Sequence, residues 1–174
     1  QNPDAVTVFI GPCIAKKSEV LDQKIEDNAD YVLTYSEIRA MMRAKEVQLE
    51  PDSTSYQEAS VFGKRFANAG GVTAAVVESM KEMNAECDAK VCKANGAAEC
   101  KKALLLMKVG KLPEDFIEGM VCDGGCVGGP SSYNDMISTK KFRDDLISQA
   151  DDRTILGNLK EYHMDTFSMH REEE

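Results

Sequence analysis

The chain has 174 residues, with 30 acidic against 21 basic side chains and a net charge of −9 at neutral pH. That length buries a proper core for one domain or slightly more, and the charge argues against nucleic acid or an anionic membrane as partner. Hydrophobic residues make up 43%, yet no apolar run approaches the roughly 20 residues of a membrane span.

Gln1-Asn2-Pro3 leads within a few residues into Val6-Thr-Val-Phe-Ile10, a strand-type run. From so abrupt a start we expect a fragment of a longer protein. No basic leader with an apolar stretch behind it is visible. Together with six cysteines in an acidic chain, this predicts a reducing, cytoplasmic setting. There cysteines are metal ligands or buried thiols more often than disulfides.

The first strand ends in Gly11-Pro12-Cys13, and Ile14 to Leu21 reads as a helical turn or short helix. Asp30 to Thr34 is a second strand-type run. Ser36 opens Glu37 to Ala44, which has good helix formers and an apolar stripe. Gln48 to Glu58, with Pro51, is a polar loop. Gly70-Gly71 interrupts Val61 to Met83, and beyond them Val72 to Met80 recurs with helical period, placing a helix whose N-terminus faces both glycines.

Glu86 to Lys93 alternates loosely and predicts a third strand, with Asn95-Gly96 as the turn after it. Ala97 to Val109 is a helix, stopped by Gly110 and followed by Pro113. Phe116 to Val121 is a buried-strand run. Tyr133 to Gln149 and Arg153 to Tyr162 are two further helices, and the Arg171 to Glu174 tail is frayed. Strands alternating with helices predict an α/β fold, a mainly parallel sheet flanked by helices, as a single domain over 1–174.

The chemistry gathers at Glu118-Gly-Met-Val-Cys-Asp-Gly-Gly-Cys-Val-Gly-Gly-Pro130. Gly124, Gly125, Gly128 and Gly129 let the backbone approach something bulky. Cys122 and Cys126 in such a turn suit a soft metal or an iron–sulfur cluster. The competing reading is a pair of buried cysteines beside a flexible turn. Cys13 and Cys122 both follow predicted strands, so their loops open on one carboxyl edge of a parallel sheet, where Cys13, Cys122 and Cys126 would share one metal centre. Lys16 and Glu19 place opposite charges on the Cys13 loop. Lys16 would stabilise anionic ligands and Glu19 carry protons, or both form an ordinary solvated face.

Cys87, Cys92 and Cys100 have no convincing ligand spacing and read as buried thiols. Met41, Met42, Met80, Met83 and Met107 recur at helical spacing as core filler, while Met120 stands apart beside the end of the Cys122 strand. Histidine is confined to His163 and His170, which weighs against a His-rich metal site or a Ser/His/Asp hydrolase. Neither nucleotide-binding glycine motif is present.

Gly11-Pro-Cys-Ile-Ala-Lys-Lys-Ser-Glu19 and the 118–130 stretch resemble the second and third cysteine motifs of the iron-only ([FeFe]) hydrogenase large subunit. The segment Val61-Phe-Gly63 through Ala69-Gly-Gly-Val72 is similar to that family's glycine-containing approach to its cluster. The resemblance covers about residues 4–130. It implies a 4Fe-4S cluster joined through a shared cysteine sulfur to a diiron subsite, together the H-cluster, for reversible H2 oxidation and proton reduction.

By resemblance, Cys13, Cys122 and Cys126 are metal ligands and Cys126 is the bridging one. Lys16 contacts a cyanide, Glu19 belongs to a proton path, and Met120 packs near the diiron unit. Gly70, Gly71 and Gly125 form the glycine surface toward the cofactor. The implied partners are a ferredoxin-type electron carrier or domain, and an upstream segment of the same polypeptide carrying the remaining cluster ligand. That segment's motif, adjacent cysteines before a proline, is not in this sequence, so the fragment alone is expected to be inactive.

Gly11 stands where catalytic members carry methionine, and the glycine run after Cys126 is short, which points toward a sensory branch. The alternative is a non-catalytic redox or H2-sensing module binding an iron–sulfur cluster or zinc. A third is a structural α/β interaction domain. With little but a cluster to hold the glycines, Gly124 to Pro130 is expected to be mobile in a metal-free form.

Overall fold

The computed structural model describes residues 4–22, 28–50, 59–86 and 88–164. The β-branched and aromatic run Val8–Gly11 forms β1, paired in parallel with β2, Tyr31–Thr34, so that Val8 faces Tyr31 and Gly11 faces Thr34. A second parallel pair joins β3, Val91–Asn95, to β4, Phe116–Met120, with Lys93 opposite Glu118. The chain is α/β with parallel pairing, as its alternating pattern predicts. Among the described residues, however, the strands form two separate two-stranded sheets rather than one. The β3 strand also begins later than the loose alternation from Glu86 indicates, because its extent is set by pairing with β4.

The helices in order are α1 (Lys16–Glu19), α2 (Tyr35–Ala44), α3 (Val61–Lys64), α4 (Gly71–Glu82), α5 (Ala97–Lys108), α6 (Met136–Ser148) and α7 (Ile155–Glu161), with a 3-10 turn at Cys126–Gly128. Helices α1 and α2 pack on the first sheet and α5 on the second; α3 and α7 lie against α4, and α6 against the 3-10 turn. The predicted loop's residues 51–58, the 171–174 tail, Cys87 and His170 lie outside the described residues.

The core beneath α5 is built from small groups. Ala94, Cys100 and Ala103 are buried, with Cys92, Leu112 and Ile117 packed around them. The Cys100 thiol donates to the Ala94 carbonyl at 3.5 Å, so this cysteine is a packing element. Many larger apolar side chains remain outside, among them Val8, Phe9 and Ile10 on β1 and Leu104, Met107 and Phe116 around α5 and β4.

Helix α2 is capped two residues earlier than Ser36 predicts, at Thr34. Thr34 accepts from the Glu37 amide at 3.4 Å, and the Glu37 carboxylate accepts from the Thr34 amide at 2.8 Å, a capping box that satisfies two donors reciprocally. Lys17 reaches the same carboxylate at 2.8 Å. The Lys17 ammonium, then the Thr34 groups, hold the Glu37 carboxyl down to about 2. A folded value below the unfolded one stabilises above the unfolded pKa, and that stability is lost as pH falls through the folded value. Acidification from about pH 5 to about pH 2 is therefore expected to fray the start of α2. The effect should weaken with added salt, since Glu37 is exposed. NMR titration of the Glu37 carboxyl checks this: a midpoint at the ordinary glutamate value contradicts the contact.

Candidate metal centre

Cys13 leaves β1 through Gly11-Pro12 and Cys122 leaves β4 just after Met120, so both thiols stand at carboxyl ends of parallel strands. The two loops touch. The Ser131 amide donates to the Pro12 carbonyl at 3.1 Å, and a Cβ on Gly129 would lie 2.8 Å from that same oxygen. Cys126 opens the 3-10 turn. All three cysteines are free thiols.

Burial pushes the Cys126 thiol up, and the neighbouring Cys13 and Cys122 push it further, while Lys16 pulls it down. The residue is exposed overall, so its burial is one-sided. These influences on Cys126 put three sulfurs and one ammonium in a single electrostatic neighbourhood. It is a neighbourhood and not a closed shell: among the described residues, no three or more His, Cys, Asp or Glu side chains gather tightly enough to hold an ion.

Because the thiolate is the reactive form, Lys16→Met is expected to slow alkylation of Cys126 at neutral pH, and Cys13→Ser to speed it. Iodoacetamide labelling mapped by mass spectrometry checks the order of rates; the reverse order contradicts the arrangement.

Lys16 is not a free cation. Its ammonium donates to both oxygens of Glu19 at 2.7 and 2.6 Å, with each side chain rather more than a third exposed. The pair belongs to the Cys13 loop, so its two charges travel together. Met120 is half-buried and its carbonyl accepts from the Gly96 amide at 2.8 Å. Gly70 is the N-cap of α4 and Gly71 its first residue. The Gly70 amide donates to Glu118 at 2.9 Å and the Gly71 amide to the Asn68 carbonyl at 3.0 Å.

The glycine loop is held by protein, which removes the premise for its expected mobility. The Gly124 amide donates to the Asn95 side chain at 2.8 Å. On the other side, the Val127 amide donates to the Ala67 carbonyl at 3.2 Å, the Ala69 amide to the Gly124 carbonyl at 3.4 Å, and Asn68 bridges to Gly125. Gly125 sits at φ +88°, ψ −160°, a conformation essentially confined to glycine. Arg143 of α6 braces the turn by donating to the Asn68 carbonyl oxygen of its side chain. The clamps on the loop itself come from segments 29 to 60 positions away in the chain, which local patterning does not register.

From the sequence, Asn68 and Glu118 have no part in the site, and Asn95 reads only as a turn residue. Only Glu118 left a signal, as an acidic residue inside an otherwise apolar strand run. It is buried, and its carboxylate accepts from the Gly70 and Thr73 amides and the Thr73 hydroxyl.

An iron–sulfur cluster fits this donor set in kind. Thiolates are its usual ligands, three are present on two touching loops, and backbone rather than bulky side chains forms the loop between Cys122 and Cys126. Four cysteines hold a cubane, so one donor is still required.

The sequence family described as "Iron only hydrogenase large subunit, C-terminal domain" matches residues 1–130. A curated relative, the periplasmic [Fe] hydrogenase large subunit of Nitratidesulfovibrio vulgaris (strain Hildenborough), is 30% identical over 161 aligned residues, which take in 71% of this chain and 38% of that protein. The chain thus spans well under half the length of this relative. No helix among the described residues is long and apolar enough to cross a membrane.

Proposed function

The chain belongs to the C-terminal domain family of iron-only hydrogenase large subunits, and on that premise we propose that it is the part of an [FeFe]-hydrogenase-like protein that supplies Cys13, Cys122 and Cys126 to an iron–sulfur centre. The observation that carries this is that Cys13 and Cys122 leave the carboxyl ends of β1 and β4 on two touching loops, close enough for both to act on the free thiol of Cys126. The H-cluster, when bound, supplies reversible cleavage of H2 into protons and electrons, the cofactor carrying the hard chemistry and the protein orienting it.

The chain's own residues then have limited tasks. Lys16 holds a positive charge within electrostatic reach of Cys126, suited to an anionic ligand. Glu19 is the carboxylate that holds or passes a proton beside it. The clamped glycine loop fixes the two thiols it carries.

The remaining donor is proposed to come from an upstream segment of the same polypeptide. The exposed apolar side chains of β1, α5 and β4 support a larger parent protein that covers them. A ferredoxin-type electron carrier is the proposed redox partner. Free thiols support a reducing compartment, and the cytoplasm is our proposal; the relative's name places that protein in the periplasm, so cell fractionation decides.

A sensory, non-catalytic module is the second reading, favoured by one observation. A Cβ on Gly11 would come within 2.8 Å of the exposed Phe9 ring, so the larger residue of catalytic members would require that ring to swing away from where it lies here.

Anaerobic reconstitution with ferrous iron and sulfide tests the proposal, comparing the 174-residue chain with one extended upstream by a cysteine-bearing segment. The expected result is iron and acid-labile sulfide in both, with the cluster labile in the short chain and stable in the extended one. Zinc bound in place of iron and sulfide favours the second reading, and no metal in either chain overturns both.

A further inference from the structure

We propose that Glu118 is a positioning residue that fixes the Cys122–Cys126 pair through the turn at residues 67–70. Glu118 lies on β4, four residues before Cys122, and only 6% of its surface is exposed. One carboxylate oxygen accepts from the Gly70 amide at 2.9 Å. The other accepts from the Thr73 amide at 3.0 Å and from the Thr73 hydroxyl. Gly70 is the N-cap of α4 and has no side chain to cap the helix. The strand therefore supplies from a distance what a local capping box supplies elsewhere, a carboxylate on orphan amides at the positive end of the helix.

The consequence reaches beyond α4. The turn gripped by Glu118 is the one whose Ala67, Asn68 and Ala69 clasp Val127, Gly125 and Gly124. The links close a ring: β4 carries Glu118, Glu118 holds Gly70 and Thr73, the turn before them holds the glycine loop, and that loop returns through Cys122 to β4. Opening the Glu118 link loosens the turn, leaving Arg143 of α6 to brace it, and with it the clasp of Ala67–Ala69 on the glycine loop beside Cys126. A carboxylate with three donors is also hard to replace. Glutamine presents an NH2 to one of the positions where an amide now donates, leaving a buried polar group unpaired.

The inference rests on the proposed ligand role of Cys122 and Cys126, but its test does not need metal. Amide hydrogen exchange is measured on the metal-free protein, and iron and sulfide uptake is measured separately on the same preparations. In Glu118→Gln, the Ala69 and Val127 amides are expected to exchange at least about tenfold faster, while the Ala103 and Leu104 amides of α5 keep their protection. Iron uptake is expected to fall in parallel.

A purely local helix cap would speed exchange at Ala74 in α4 and leave Val127 unchanged, and that result overturns the proposal. If Glu118→Gln fails to fold, Thr73→Val decides. It removes one of the three donors and is expected to loosen Val127 partially, with Thr73→Ser restoring protection; an unchanged Val127 in a folded Thr73→Val protein overturns the proposal. Exchange that behaves as expected in a wild type that takes up no iron leaves the positioning intact and removes the metal-centre reading alone.

Discussion

Replacing Gly125 by alanine is expected to lower stability by about 4 kcal/mol, combining roughly 1–3 kcal/mol of backbone strain with roughly 1–3 kcal/mol of overpacking. Both causes are visible at the residue. At φ +88° and ψ −160°, a side chain is strained whatever space surrounds it. The space is also absent, since the new Cβ would lie 2.5 Å from the Ala67 carbonyl oxygen and 2.6 Å from the Ala69 nitrogen. Those atoms are backbone and belong to the turn that clamps the loop, so relief requires moving the clamp itself.

For a chain of this size that loss corresponds to a melting point lower by roughly 8–16 °C. Gly110 is the control. It has φ +66° and nothing within 4 Å of the added atom, so Gly110→Ala is expected to cost only about 1 kcal/mol of left-handed strain. Thermal unfolding followed by circular dichroism compares the two. Equal losses at both positions would show that the 67–70 turn does not press on the glycine loop as described.

The contrast between these glycines marks what the sequence makes legible. That Gly124 and Gly125 permit positive φ follows from composition, and the strand before Cys122 follows from the apolar run Phe116 to Val121. Placing Cys13 and Cys122 each at the carboxyl end of a parallel strand needs only the alternation of strands and helices and the rule for parallel sheets. The single shared sheet edge expected from it is not what forms, since among the described residues β1 and β4 lie in separate sheets. The parts left out are set by hydrogen bonds between distant segments. Asn95 to Gly124, Ala67 to Val127 and Glu118 to Gly70 leave no periodic trace, because a single donor–acceptor pair has no period.

The split into two sheets is of the same kind. Each strand is readable alone, but which strand it pairs with depends on packing by α1, α2 and α5. The cap of α2 is a nearer miss: Thr34 and Glu37 are spaced as a capping box, and the competing Ser36 lies within the same turn.

The largest functional effect is expected from the cysteines taken one at a time. Cys13→Ser, Cys122→Ser and Cys126→Ser should each reduce reconstituted iron from about four per chain to near zero. A centre already short of one donor is left with two thiolates, and a hydroxyl is a poor ligand for a soft iron–sulfur site. Cys92→Ser and Cys100→Ser should instead keep the iron and lose stability. Their sulfurs lie in the Ala94–Ala103 core, and the Cys100 thiol faces the Ala94 carbonyl rather than the other cysteines. The two classes therefore separate along different axes, metal content for one and unfolding midpoint for the other. Iron assayed after anaerobic reconstitution, beside urea unfolding of the same variants, reads both. Full iron binding by Cys126→Ser would remove it from the ligand set, and loss of iron in Cys92→Ser with an unchanged unfolding midpoint would move the centre to β3. Either result would reassign the site, because Cys13, Cys122 and Lys16 all act on Cys126 whereas Cys92 and Cys100 lie beneath α5.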